Sequence, residues 1–418
     1  LTMFLFKNLK LLDPAFDEPR EGYEVLVEGE KIREVSDTPI KASGATVVDC
    51  GGRTLMPGLI DCHVHCMHDE VYMRRMEEVP LTLAAARGAK RIKSMIDRGF
   101  TTVRDTGGTD WGMKTAIEKG LIPGPRLFIA GRSIGPTGGH SDGRGRTNPG
   151  FACPCCNTAA YLRIVCDGED EVRKVVREQM RQGCDQVKIM ASGGVASPND
   201  PLDSLQFSIE EIEAAVEEAE AFGRYVCAHA YSPEAITRAV GHGVRTIEHG
   251  NLIDEAAAKL MAEKGAYLVA NLVAYVAMKE RAASFGMPES MLEKNDMVLE
   301  GGYKSLEICE AAGVKVAYGS DLLGALLEDQ SREFSIRAEV QKPITVIRAA
   351  TTIAAEVVRR PGRLGTVAAD AWADLILVDG DPTKDITLLE GQGKNMPVIM
   401  KGGAFYKNAL DSALEAAA

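Results

Sequence analysis

The chain reads as an α/β protein: a (β/α)8 TIM barrel carrying a small β-sandwich domain built from both chain ends. Three observations predict this. From Pro57 to about Arg360, apolar strand-like runs alternate with helical stretches, and eight such units imply a parallel sheet closed into a barrel. Residues 1–56 instead hold short alternating runs with turn punctuation, and residues 361–418 return to that pattern. The two ends match in character, so they are expected to pair into one domain, 1–56 plus 361–418, beside a barrel of residues 57–360.

The elements follow in order. Residues 23–28 alternate, Gly29-Glu30 turns, and residues 31–35 alternate again, which is a hairpin pattern. Residues 47–49 and 54–56 add two short strands. The barrel strands are read from Leu59 and then at 101–105, 126–130, 186–190, 225–229, 245–249, 267–271 and 314–321. Between them lie stretches such as 209–222, rich in Glu and Ala at helical spacing. Strands resume at 373–378 and 397–400.

Composition narrows the class. The 418 residues are 45% hydrophobic and 26% charged, the balance of a soluble globular protein. The net charge of −12 with no basic stripe argues against a nucleic-acid partner. No apolar run approaches the ~18 residues that span a bilayer, so no membrane partner is expected. The start of the chain (LTMFLFKNLKLL) lacks a basic n-region and a small-residue cleavage site, and reads as a first strand. Ten cysteines in a chain this long do not make a disulfide scaffold, and several sit inside apolar strands, which points to the cytoplasm.

Candidate chemistry begins at His63-Val64-His65. Alternate residues of a strand share a face and rise about 3.3 Å each, so both imidazoles can converge on one cation; the plainer alternative is two polar residues at a strand end. Lys188 lies inside an apolar strand with no carboxylate neighbour in sequence. Either it pairs with a distant acid, or its amine loses its proton on burial and reacts with carbon dioxide to give an anionic, metal-bridging carbamate. His229, His249 and Asp321 each end a strand of a separate unit, where a barrel places its active site.

With that set assembled, the sequence resembles the amidohydrolase superfamily. Pro57-Gly58-Leu59-Ile60-Asp61-x-His63-x-His65 resembles its first-strand motif, and Lys188 matches the carboxylated lysine of the binuclear subtype. His229, His249 and Asp321 match the strand-five, strand-six and strand-eight positions. Residues 364–382 resemble the return into the β domain, with Ala369-Asp370 in place of the usual Pro-Gly turn. The resemblance implies a first divalent ion held by His63, His65 and Asp321, a second held by His229 and His249, and carboxylated Lys188 between them. Zinc suits such ligands. It further implies a metal-bridging hydroxide as the attacking group, Asp321 as the proton carrier, and a homo-oligomer of undetermined number.

Two residues outside that set bear on the substrate. His140, in the loop after the third strand, can donate a hydrogen bond to the oxyanion formed on hydrolysis, or can be a mobile surface histidine. Tyr231, two residues past His229, can bind a substrate carboxylate or pack at the rim. Within the superfamily the chain is most similar to the branch of imidazolonepropionase-like proteins and metal-dependent dipeptidases. No Arg or Lys wall is evident near the ligands, and residues 271–278 are largely apolar. The expectation is therefore a prolidase-type hydrolase of dipeptides or N-acyl amino acids, with proline or another apolar residue on the C-terminal side. Glu280, Glu289 and Glu293 argue for the alternative, an Xaa-Arg or Xaa-Lys dipeptidase. A cyclic amidohydrolase or deaminase is the other rival, whereas a non-catalytic scaffold would be expected to have lost ligands. Cys153, Cys155 and Cys156 lack a second pair at zinc-finger spacing and read as a small buried loop cluster. Arg144 and Arg146 are either solvated or reach toward an anionic substrate.

Overall fold

Strand β1 (Met3–Leu11) is the spine of a first unit made of Leu1–Asp61, Lys93–Val103 and Phe334–Ala418. The computed structural model describes residues 2–410 apart from 149, 151–152, 156 and 198–199. β1 pairs antiparallel with β2 (Arg20–Glu28), which turns into β3 (Lys31–Ser36) through Gly29. Gly29 has a φ of +58°, a conformation that a side chain would strain. β4 (Thr46–Asp49) and β5 (Thr54–Pro57) run parallel to β1.

β6 (Leu59–Val64), β7 (Phe100–Asp105) and β8 (Arg126–Ile129) form a three-stranded sheet in that order. The second unit consists of Cys62–Ile92 and Arg104–Glu333. Its larger sheet takes β9 (Ser133–Gly135), β10 (Arg163–Val165), β11 (Val187–Met190), β12 (Val226–Ala230), β13 (Thr246–His249), β14 (Tyr267–Ala270) and β15 (Lys315–Tyr318). The order is β10-β9-β11-β12-β13-β14-β15, and every pairing is parallel. β11 to β13 are fully buried, as strands covered on both faces are, and the polar residues they carry, Lys188, His229, Thr246, Glu248 and His249, are buried with them. Backbone bonds tie strand ends across the two sheets, Asp321 N to His63 O (2.8 Å) and Asp185 N to Ile129 O (2.7 Å), while Thr106 N to Val64 O (3.1 Å) and Ala130 N to Asp105 O (3.1 Å) extend the pairing within the smaller sheet.

Connecting helices start where capping chemistry dictates. Ser208 and Glu211 form a reciprocal capping box at the head of the helix Ile209–Ala221. Asp254 caps Glu255–Lys264, and Gly265, left-handed, ends it. Among the described residues no helix is long and apolar enough to cross a membrane.

The chain then completes the first unit's sheet with β16 (Leu375–Val378), β17 (Val398–Lys401) and β18 (Ala404–Asn408). β16 pairs antiparallel with β5, so segments from both ends of the chain share one eight-stranded sheet over a core of Phe6, Val25, Val27, Leu55, Leu377 and Val398. The Ala369-Asp370 turn closes without the usual Pro-Gly: Asp370 itself adopts a φ of +69° and its N–H bonds to Ile32 O at 2.8 Å. Aspartate is among the few side chains that tolerate this region.

Candidate active site

Alternation brings the inward side chains of the parallel strands to one level. Met190, His229 and Glu248 are register partners on β11, β12 and β13, and Lys188 lies one pleat below Met190. By the same rule Glu248 and His249, being consecutive, would face opposite ways. Yet both meet His63: Glu248 Oε2 lies 2.8 Å from its Nδ1, and the His249 ring centroid lies 5.0 Å from its ring. The backbone resolves this. His249 adopts a φ of +76° and Asp321 one of +50°, left-handed conformations that turn each side chain inward as its strand ends. Such backbone strain, on the order of 1–2 kcal/mol per residue, persists where surrounding structure enforces it.

His63, His65, Lys188, His229, His249 and Asp321, together with His140 and Tyr231, line one cavity of about 110 Å³ in the second unit. Asp321 Oδ1 lies 3.2 Å from His63 Nε2 and 3.1 Å from His65 Nε2, and Oδ2 lies 3.7 Å from His249 Nδ1. Potential ligand atoms of His63, His249 and Asp321 fall within 4.8 Å of one another, a group able to hold a metal ion.

The protonation states suit a cation. Burial opposes charge on Asp321, but the field of His63 and hydrogen bonds from His63 and His65 outweigh it, and the carboxyl is held well below the usual range. Burial drives His229 well below the usual imidazole value, and does the same at His249 against the opposing field of Asp321, so both are neutral. His65 goes the other way: burial lowers its pKa, but the hydrogen bond and charge of Asp321 win, so a bound cation would compete with a proton there. Three imidazoles each engage an oxygen through one nitrogen. His63 Nδ1 meets Glu248 (2.8 Å), His65 Nδ1 donates to Gly107 O (2.9 Å), and His229 Nε2 donates to Gly193 O (3.0 Å). The other nitrogen of His229 is thereby left as a lone-pair donor, and Nε2 of His63 and His65 becomes one when the proton facing Asp321 leaves, as metal ligation requires. Lys188 is 2% exposed, with no hydrogen bond or ion pair within contact distance among the described residues; the buried carboxylate of Glu248 is the acid on which its charge acts.

Beneath His63 lies a fully buried ion pair. Arg104 Nη2 donates to both oxygens of Glu248 (2.7 and 2.8 Å), while its Nε and Nη1 donate to Cys62 O (2.6 Å) and Thr246 Oγ1 (3.1 Å). The sequence reading passed over both residues. The available signal was two opposite charges, each inside an apolar strand.

His140 is not a mobile surface residue. Its ring stacks on that of His229 (centroids 4.4 Å, 17°), and its Nδ1 lies 2.7 Å from Ser197 Oγ and 3.4 Å from Asp200 Oδ2. Burial opposes charge on Asp200, but the hydrogen bond and field of His140 prevail and hold its pKa down. A Cβ on Gly194 would lie 2.0 Å from His140 Cε1. Gly194→Ala is therefore expected to displace the imidazole and lower activity about as much as removing it, without a matching drop in melting temperature; unchanged kcat/KM would refute this. Tyr231 Oη lies 2.9 Å from Tyr275 Oη, which lies 2.9 Å from His249 Nδ1, so Tyr231 is buried in a core cluster rather than packed at the rim, and faces the cavity. Burial raises its pKa and keeps the phenol protonated, a donor.

Other expectations are corrected. Cys153 and Cys155 are exposed rather than buried, because the loop around Pro154 turns at the surface; Cys156 lies outside the described residues. Arg144 pairs with Asp142 (2.6 and 2.8 Å), two residues away, and Arg146 is exposed. One arginine does stand near the ligands: Arg163, on the three-residue strand β10 that is too short to read from the sequence, lines the same cavity.

Ochratoxinase of Aspergillus niger is 30% identical over 425 residues, covering 95% of this chain and 85% of that protein. The crystal structure of a prolidase complexed with N-methylphosphonate-L-proline is similar at 46% identity with a TM-score of 0.95, covering 97% of this chain and 100% of that one. A Xaa-Pro dipeptidase with bound methionine in its active site matches at 28% identity and a TM-score of 0.85, over 97% and 100% of the two chains. The Amidohydrolase family matches residues 54–404, from the strand before His63 to the last strand of the β domain. A match of that extent, enclosing every residue of the cavity, means that this chain belongs to the amidohydrolase family.

Proposed function

We propose that the chain is a prolidase-type metallohydrolase, cleaving the amide bond of Xaa-Pro dipeptides and N-acyl-L-prolines at a centre for two divalent ions, zinc by ligand type. His63, His65 and Asp321 would hold the first ion, His229 and His249 the second, and carboxylated Lys188 would join them. One observation carries the reading: neutral imidazoles, an anionic Asp321 and a buried lysine converge on one cavity. The strand-end bonds from Asp321 to His63 and onward support a barrel closed over residues 57–360, with residues 1–56 and 361–418 forming the accessory β domain.

The ions, when bound, supply Lewis acidity that activates water and polarises the scissile carbonyl. Asp321 accepts the proton from the attacking water at a carboxylate oxygen and delivers it to the leaving amine. His140 donates through Nε2 to the developing oxyanion, with Nδ1 held by Ser197 and Asp200. Tyr231 donates its phenol proton to the substrate carboxylate. Ala274 and Met278 form an apolar side of the cavity suited to a pyrrolidine ring. An arginine side chain finds no spare acid there: Asp321 is the one carboxylate among the described lining residues, and Glu280 is paired with Arg332 (2.9 and 3.0 Å).

The test is a library of Xaa-Pro, Xaa-Arg and N-acyl amino acids assayed beside imidazolone and cyclic-amine substrates. Release of free proline is expected; ammonia without a free amino acid would defeat the reading. His140→Ala is expected to lower kcat by about 10²–10³-fold with KM little changed, and a change confined to KM would exclude the oxyanion role.

A further inference from the structure

Beside the 110 Å³ cavity lies a larger void of about 550 Å³, and Met73, Ser141, Arg163 and Ala196 line both. The void opens on the His140 side: Ser197, which holds His140 Nδ1, is part of its wall. With the amino-acid half of the substrate against Ala274 and Met278, and His140 at the carbonyl, the acyl half extends toward this void.

Its charge is uneven. Arg144 and Asp142 neutralise each other, and Arg132 donates to the carbonyls of Ala160 and Tyr161 (3.1 and 3.0 Å). Arg163 is different. It is half-buried at the junction of the two spaces; its Nε donates to Ala159 O at 3.3 Å, and no bond engages either terminal nitrogen among the described residues. Burial disfavours its charge and lowers its pKa, and the nearby carboxylates of Glu77 and Asp142 offset only part of this. A planar guanidinium presents two parallel donors to a carboxylate, so an incoming anion would find a partly desolvated partner already in place.

We propose that this void binds the acyl half of the substrate and that Arg163 pairs with a second carboxylate on it. The substrates would then be N-acyl-L-prolines whose acyl group comes from a dicarboxylic acid. Water adds across the amide C–N bond, the acyl carbon taking the oxygen and proline nitrogen the proton, to release a dicarboxylate and free proline. This rests on the prolidase-type reading and names the acyl group for that same site.

The experiment compares kcat/KM for N-acetyl-, N-pentanoyl- and N-glutaryl-L-proline with the metal-loaded wild-type enzyme, Arg163→Gln and Arg163→Lys. The wild type is expected to favour glutaryl over pentanoyl by about tenfold. Arg163→Gln should abolish that ratio and Arg163→Lys should keep part of it. Equal or better turnover of the pentanoyl substrate by the wild type, or an unchanged ratio in Arg163→Gln, overturns the proposal. Glutarate should also inhibit wild-type hydrolysis of N-acetyl-L-proline more strongly than pentanoate, a readout that needs no variant; equal inhibition counts against Arg163. Failure to cleave any N-acyl-proline would sink the prolidase-type reading itself, whereas cleavage of N-acetyl-L-proline without a glutaryl advantage would sink only this one.

Discussion

Lys188→Ala is expected to bind about one divalent ion per chain in place of two, and to lose activity by about a thousandfold or more. Lys188 is buried in a fully buried strand, with no hydrogen bond or ion pair within contact distance among the described residues; Glu248, the buried acid on which its charge acts, is already bound to Arg104. A lysine in that setting is either strongly destabilising or chemically altered. Carboxylation converts it into the anion that several buried imidazoles and two dications would need beside them. Metal content by elemental analysis tests this independently of turnover. Lys188→Glu, which keeps a carboxylate on a shorter stem, is expected to recover part of the second ion. Two ions and full activity in Lys188→Ala would remove the bridging role.

Glu248→Ala carries the second large effect, and it falls on stability as much as on catalysis. Glu248 and Arg104 are both 0% exposed, and the guanidinium holds the carboxyl below its ordinary value despite burial. Removing one partner leaves the other charged and buried, which costs about 3–5 kcal/mol. The loss should appear in urea unfolding of the metal-free protein. An Arg104→Met, Glu248→Leu double variant should be less destabilised than the sum of the two single changes, because neither charge is then left alone. Glu248 also fixes the ring of His63, so metal affinity should weaken by about 10–100-fold. Wild-type unfolding of metal-free Glu248→Ala would show that the pair bears no structural role.

Much of this architecture was legible before any coordinates. Eight apolar runs at residues 59–321 were read as strands, and each contains or overlaps one. Parallel strands buried on both faces announce themselves by a mainly apolar composition that recurs between helical stretches. The histidines at 63, 65, 229 and 249, Lys188 and Asp321 stand out as a set: any one alone has a structural explanation, but four histidines, a lysine inside an apolar strand and a strand-end aspartate in this order resemble one family's ligand pattern. Less regular features left no such trace. β9 and β10 are three residues each, too short for a period to register, and Arg163 went unnoticed with them.

Which residues are available at strand ends was therefore settled by linear order and hydrophobic period. Which of them meet was decided in three dimensions. Alternation alone would turn His249 away from Glu248, and only the left-handed backbone at His249 and Asp321 returns those side chains to the cavity. Arg104 and Glu248 lie 144 residues apart and find each other across the sheets. Such pairings depend on strand register and on the cost of isolating a charge from water, and neither is written in any local stretch of sequence.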